Sequence, residues 1–178
     1  MQTRTDNGEV FRDALQGLYK GDYSRLEPLF EGGAGGDRAR IIKWHEEGRF
    51  SSEPKALAEA LTCACFLGRT SVASALLTHG VDPSGGAGTG LNAFHWAANR
   101  GQLEAVRLLI RWKAPFESKS MYGGNVLDTA VWSAINEPRP AHAQIIEELL
   151  KAGARLEGQA WPTGHEDIDA IVRRYRTV

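Results

Sequence analysis

Cysteine is scarce in this chain of 178 residues, and the two present, Cys63 and Cys65, stand two positions apart in a segment with helical patterning. Side chains two apart on a helix point about 200° away from each other. The pair therefore cannot close a disulfide with each other there, and no disulfide framework holds the fold. Neither belongs to a metal-ligand spacing, which leaves them the role of small buried hydrophobes. The histidines, His45, His79, His95, His142 and His165, are scattered and form no His-x-x-x-His pair. An excess of either charge is missing too, with 21 Lys and Arg against 22 Asp and Glu. Residues 1–50, 51–119 and 120–178 carry −1 (8 basic, 9 acidic), +2 (7 and 5) and −2 (6 and 8), so there is no basic stripe and nucleic acid is not an expected partner. No apolar run reaches the about 20 residues of a membrane-spanning helix. The opening Met1-Gln2-Thr3-Arg4-Thr5-Asp6 is polar, with no hydrophobic stretch behind it. The expectation is a cytoplasmic protein that does not contact membrane.

Catalytic signatures are equally absent. The strings Gly32-Gly33-Ala34-Gly35-Gly36 and Gly85-Gly86-Ala87-Gly88-Thr89-Gly90 lack the Gly-Lys-Ser/Thr ending of a phosphate loop, and neither follows an apolar strand and opens a helix. Turns that need φ > 0 explain them better. There is no Gly-x-Ser-x-Gly elbow and no Cys/His nucleophile pair. The chain is therefore expected to be no enzyme and to carry no cofactor.

What the chain does contain is a repeat. Leu57–Leu76 aligns without a gap on Gly90–Leu109, pairing Leu61 with Phe94, Ala64 with Ala97, Gly68 with Gly101, Ala73 with Val106 and Leu76 with Leu109, each 33 positions apart. Such a period marks a supersecondary unit that buries its apolar face only by stacking on copies of itself. A third copy starts at Asn125-Val126-Leu127-Asp128-Thr129-Ala130 and ends at Gly153-Ala154, delayed by seven residues that fall around Glu137-Pro138-Arg139-Pro140. The first helix of this copy should extend through Trp132 and Ile135, stop at the prolines, and be followed by a helix from about His142. A degenerate copy spans Phe11–Ala34, with Asp13, Lys20, Glu27 and Glu31 on its outer face. The extra residues before the first full copy carry Ile41, Ile42, Trp44 and His45, an additional amphipathic helix. Pro162–Val172 reads as a closing helix, acidic in its first turn, with Arg173, Arg174 and Arg176 after it.

The clearest copy, Asn92–Ile110, resembles the ankyrin repeat at Phe94, His95, Ala97, Ala98, Gly101, Val106, Leu109 and Ile110. It departs from the family's Thr-Pro opening at Asn92-Ala93, where Asn can still cap the helix. The resemblance implies an all-α solenoid of stacked helix-turn-helix units with short hairpin loops. The predicted helix pairs are 56–66 with 70–79, 93–99 with 103–112, and 126–136 with 142–152. The whole chain, 1–178, is then one domain: a capping repeat at 10–34, an inserted helix in 35–53, repeats at 54–86, 87–119 and 120–159, and a capping helix at 160–178. His95 is expected to bond backbone between neighbouring hairpins. Families of this architecture bind other proteins on a concave face. The family's variable positions fall on Lys55, Ala56, Phe66 and Leu67 in the first full repeat. The expected partner-binding residues are Thr89, Leu91, Asn99 and Arg100 in the second and Met121, Tyr122, Trp132 and Ser133 in the third. Arg100, Tyr122 and Trp132 stand out because Arg and large aromatics dominate binding hot spots. The resulting expectation is a monomeric protein-binding module of bacterial type, an inhibitor or immunity protein. Its Arg-over-Lys bias, 15 to 6, fits a GC-rich bacterial source. A second reading is a degenerate scaffold with a small-molecule or enzymatic site in the groove beside Arg100, His95 and Asp128. An apolar pocket and a strongly shifted titratable group separate the two.

Overall fold

Alanines at equivalent positions of the three copies, Ala64, Ala97 and Ala130, have no exposed surface. Their small side chains let three helices lie directly against one another. The computed structural model describes residues 3–22, 26–30, 39–86, 90–158 and 161–176. Its helices are α1 (Thr3–Lys20), α2 (Arg40–Glu46), α3 (Pro54–Phe66), α4 (Thr70–Thr78), α5 (Ala93–Asn99), α6 (Leu103–Arg111), α7 (Val126–Asn136), α8 (His142–Lys151) and α9 (Glu166–Tyr175), with a 3₁₀ turn at Glu27–Leu29. No described residue lies in a β-strand, and no helix among them is long and apolar enough to cross a membrane. The first helices of the repeats, α3, α5 and α7, stack in one layer, and the second helices, α4, α6 and α8, in another. Helix α1 packs on α3, α2 on α4, and α9 on α8.

The 33-residue register is the register of the core. Leu61, Phe94 and Leu127 occupy one buried slot, and Leu76, Leu109 and Leu149 another. The first helix of each of the first two repeats ends in the same way. Gly68 and Gly101 sit at φ +69° and +70°, and the next residue's N–H returns to the helix, Arg69 to Ala64 at 2.8 Å and Gln102 to Ala97 at 2.9 Å. A left-handed residue at this cap favours glycine because a Cβ there clashes with backbone.

The departures from regularity have local causes. Helix α3 begins at Pro54, about one and a half turns before the point where α5 begins in register. Proline suits the first turn of a helix, where its missing N–H has no partner to lose. In the third repeat the inserted residues mostly lengthen the first helix, 11 residues in α7 against 7 in α5, and the rest widen the turn at 137–141 and lengthen the second helix, 10 residues in α8 against 9 in α6. The closing helix starts at Glu166 rather than Pro162. Thr163 N, Thr163 Oγ1 and Gly164 N all donate to the Asp169 carboxylate, at 2.8, 2.9 and 3.2 Å, so the preceding residues fold as a loop over the helix start. The inserted helix α2 is anchored by Trp44, whose ring meets Phe11 edge-on at 5.1 Å. The hairpin tip at 120–124 is a turn held by Ser120 N to Gly124 O and Gly123 N to Ser120 O, and Met121 N joins it to the preceding loop at Gly90 O, each 2.9 Å. Residues 31–38 and 87–89, with the glycine string at 32–36, half of that at 85–90 and the expected contact residue Thr89, lie outside the described residues. Both cysteines are buried. Burial pushes the Cys65 thiol up to about 12 and the Cys63 thiol well above its ordinary range, so neither offers a reactive thiolate.

Candidate functional site

Phe66, Asn99 and Trp132 are one repeat apart. Because α3, α5 and α7 lie side by side, these three residues form a row across their C-terminal ends. Trp96 and Thr129, one turn earlier on α5 and α7, face the same way. With Leu91 and the hairpin residues Tyr122, Gly123 and Gly124 they enclose a groove of about 800 Å³. Of the expected contact residues, Leu91, Asn99, Arg100, Tyr122 and Trp132 line it. Met121 is exposed beside it. Tyr122 and Trp132 keep 78% and 46% of their surface in solvent, a large cost for aromatic rings that serve packing alone.

Ser133 corrects the expectation. It is the equivalent of Arg100, yet it has no exposed surface. Arg100 caps the end of α5, whereas α7 continues past Ser133 to Asn136, so Ser133 lies within the helix and faces the end of α5. Asn99 Nδ2 donates to Ser133 Oγ at 2.8 Å. Asn99 and Leu91 are themselves largely buried and contribute floor rather than protruding contacts. The Asn99 carbonyl pairs with His142 Nε2 at 3.1 Å, while His142 Nδ1 accepts from Arg139 N at 3.1 Å. An accepting Nδ1 makes this histidine the neutral Nε2–H tautomer. Burial, the largest cause, lowers its pKa.

The groove has one aromatic wall and one basic end. Phe66 and Trp96 meet edge-to-face, ring centroids 5.0 Å apart at 80°. The Arg100 guanidinium lies over the Phe66 ring with Cζ 4.8 Å from its centroid, a cation–π contact. Burial first, and the neighbouring Arg139 charge second, lower the Arg100 pKa, against the pull of Glu137.

His95 and Asp128 serve the scaffold. His95 is buried, and its Nδ1 bonds to Asn92 Oδ1 at 2.7 Å. The same oxygen caps α5 by accepting from Phe94 N and His95 N. Asn92 also reaches the next hairpin, its Nδ2 donating to Ser118 Oγ at 3.2 Å. Burial lowers the His95 pKa, opposed by the backbone of Ser118 and Gly124. Asp128 and Asn125 form a capping box at the start of α7. The Asp128 carboxylate accepts from Asn125 N, Glu157 N and Gly158 N at 3.0, 3.1 and 2.9 Å, tying the third repeat to the loop after α8. The sequence reading passed over Trp96 and Thr129. Their signal was helical spacing, three or four residues before Asn99, Arg100 and Trp132.

The family model for ankyrin repeats, in three copies, matches residues 61–160. The chain is similar in fold to the crystal structure of EF0377, an ankyrin repeat protein, with a TM-score of 0.55, 16% identity, and coverage of 91% of this chain and 96% of that one. No curated protein matches it. With a matched segment that takes in more than half its length, from within α3 to beyond α8, the chain belongs to the ankyrin-repeat family.

Proposed function

We propose that the protein is a non-enzymatic interaction module that binds a partner protein in the groove between its second and third repeats, covering a surface of that partner as an inhibitor or immunity-type protein does. Ankyrin repeats are generally protein–protein interaction modules. The observation that carries the reading here is the exposed pair Tyr122 and Trp132 on the two sides of a preformed groove. Rigid aromatics in such a position gain contact area at little entropic cost. Catalytic use of the neighbouring Asp128 and His95 is disfavoured because both are held in helix-capping networks.

The test is affinity capture from lysate by the full chain, followed by titration of the captured partner. Trp132→Ala and Tyr122→Ala each weaken binding by roughly thirtyfold, about 2 kcal/mol, the scale of a hot-spot truncation. Trp112→Ala, an exposed tryptophan outside the groove, leaves it unchanged. Wild-type affinity in both groove variants would move the interface elsewhere.

A small-molecule ligand is a second reading, favoured by the groove's volume, which falls in the range of about 300–1,000 Å³ typical of such sites. Saturation of the groove by a compound that leaves partner capture intact would support it.

A further inference from the structure

Arg100 lines the end of the groove with Glu137, and Arg139 stands close enough behind it for the two guanidinium charges to act on each other; neither arginine is paired with a carboxylate among the described residues. The stem of Arg139 packs against Gly101, whose added Cβ would lie 3.1 Å from it, so the side chain is held beside Arg100. Their charges repel, which is one cause of the lowered Arg100 pKa, and exposed Glu137 offsets them only in part. Arg139 Nε is buried without a hydrogen-bond partner among the described residues. Arg100 is stacked by its face on Phe66. Stacking occupies the face of a guanidinium and leaves its in-plane N–H groups along the edge, arranged for a carboxylate. Because the ring already fixes the plane, less side-chain freedom is lost when the carboxylate arrives.

We infer that the occupant of the groove is a segment of a partner protein carrying an internal Asp or Glu, its carboxylate on Arg100, beside an aromatic or aliphatic residue seated against Trp132 and Tyr122. This assignment rests on the groove being the binding surface. The charge supplies register and selectivity, and the apolar neighbour supplies the buried area. A lysine-bearing segment is disfavoured by the Arg100 charge with Arg139 behind it, and a wholly apolar one would cover the Arg100 guanidinium without satisfying it.

The experiment selects random dodecamers, displayed on phage with no free C-terminus, on the immobilised full chain. Enriched sequences are then synthesised and titrated by fluorescence anisotropy. The expected result is an Asp or Glu at a fixed offset from an aromatic or aliphatic residue. Changing that residue to its amide weakens wild-type binding by about tenfold or more, yet changes binding to Arg100→Gln little, the signature of a coupled pair. Circular dichroism of Arg100→Gln checks that the variant is folded, and Arg100→Lys, which keeps charge without the planar fork, recovers only part of the affinity. Enrichment of apolar peptides with no acidic position, or an acidic position that matters equally to Arg100→Gln, overturns the assignment. If those peptides still depend on Trp132, the groove reading survives. No enriched family, or peptides indifferent to Trp132→Ala, Tyr122→Ala and Arg100→Gln alike, overturns both. Indole-3-acetate binding as tightly as the selected peptides overturns the peptide occupant.

Discussion

At the scale of single residues, the side chains nearest the groove divide into those that present and those that hold. Asp128 holds: it satisfies the backbone N–H groups of Asn125, Glu157 and Gly158 from a buried position. Asp128→Ala leaves those donors without their acceptor and is expected to cost about 1–3 kcal/mol, the penalty for buried polar groups deprived of a partner. Urea unfolding measures it, and an unshifted midpoint would show that water replaces the carboxylate at no cost. The buried histidines set a dependence on pH. His95 and His142 both have lowered pKa values in the fold, burial being the main cause. The unfolded chain then binds more protons than the folded one below about pH 6.5, the ordinary histidine value. Stability is accordingly constant above that pH and falls as the solution is acidified from there towards the lowered folded values. The urea midpoint should drop between pH 7 and 5.5, before carboxylates such as Glu147 and Asp169, held below their usual range, begin to protonate. His142→Gln should shrink the drop, and a midpoint level across that window would exclude the account.

At the scale of helices, Leu109 is the measure of the register, since it sits with no exposed surface in the same slot as Leu76 and Leu149. Leu109→Ala is expected to cost roughly 2–5 kcal/mol through lost burial and the cavity left behind. An unaltered denaturant midpoint would contradict the slot assignment. The helix pairs were legible in the sequence because each boundary carries its own local signal: Asn92 and Asn125 before α5 and α7, Gly68 and Gly101 after the first helices of two repeats, and the prolines after α7. What could not be read were consequences of contact across repeats. Ser133 looks like a surface position from its equivalence to Arg100, and its place inside the longer α7, bonded to Asn99 of the neighbouring repeat, is interior. The late start of α9 likewise depends on Asp169 drawing Thr163 and Gly164 back onto the helix. In the groove, the family's variable positions carried onto this sequence pointed to Trp132 and Arg100, and both line it. The pairing of Arg100 with Phe66 joins two repeats, and no single period contains it.

At the scale of the whole molecule, stability is shared between neighbouring units, and the terminal helices close what would be open apolar faces. Ile168 and Val172 of α9 are buried, and Tyr175 Oη donates to Glu147 Oε1 of α8 at 3.0 Å. A chain ending after Gly158 is therefore expected to melt at lower temperature than the full chain, with hydrogen exchange rising first in α8. Equal melting temperatures would show that the third repeat needs no closure. The row formed by Phe66, Asn99 and Trp132 has a further implication, for the grammar of the partner rather than for this chain. Packed helices stand about 8–10 Å apart, and an extended strand advances about 3.3 Å per residue. A stretched segment crossing the row at right angles to the helices thus meets successive repeats at every third residue. A helical segment, rising about 1.5 Å per residue, meets them about five to seven residues apart. The interval between the residues that matter in the partner reports which of the two shapes it takes, and the pitch of the stack sets that interval.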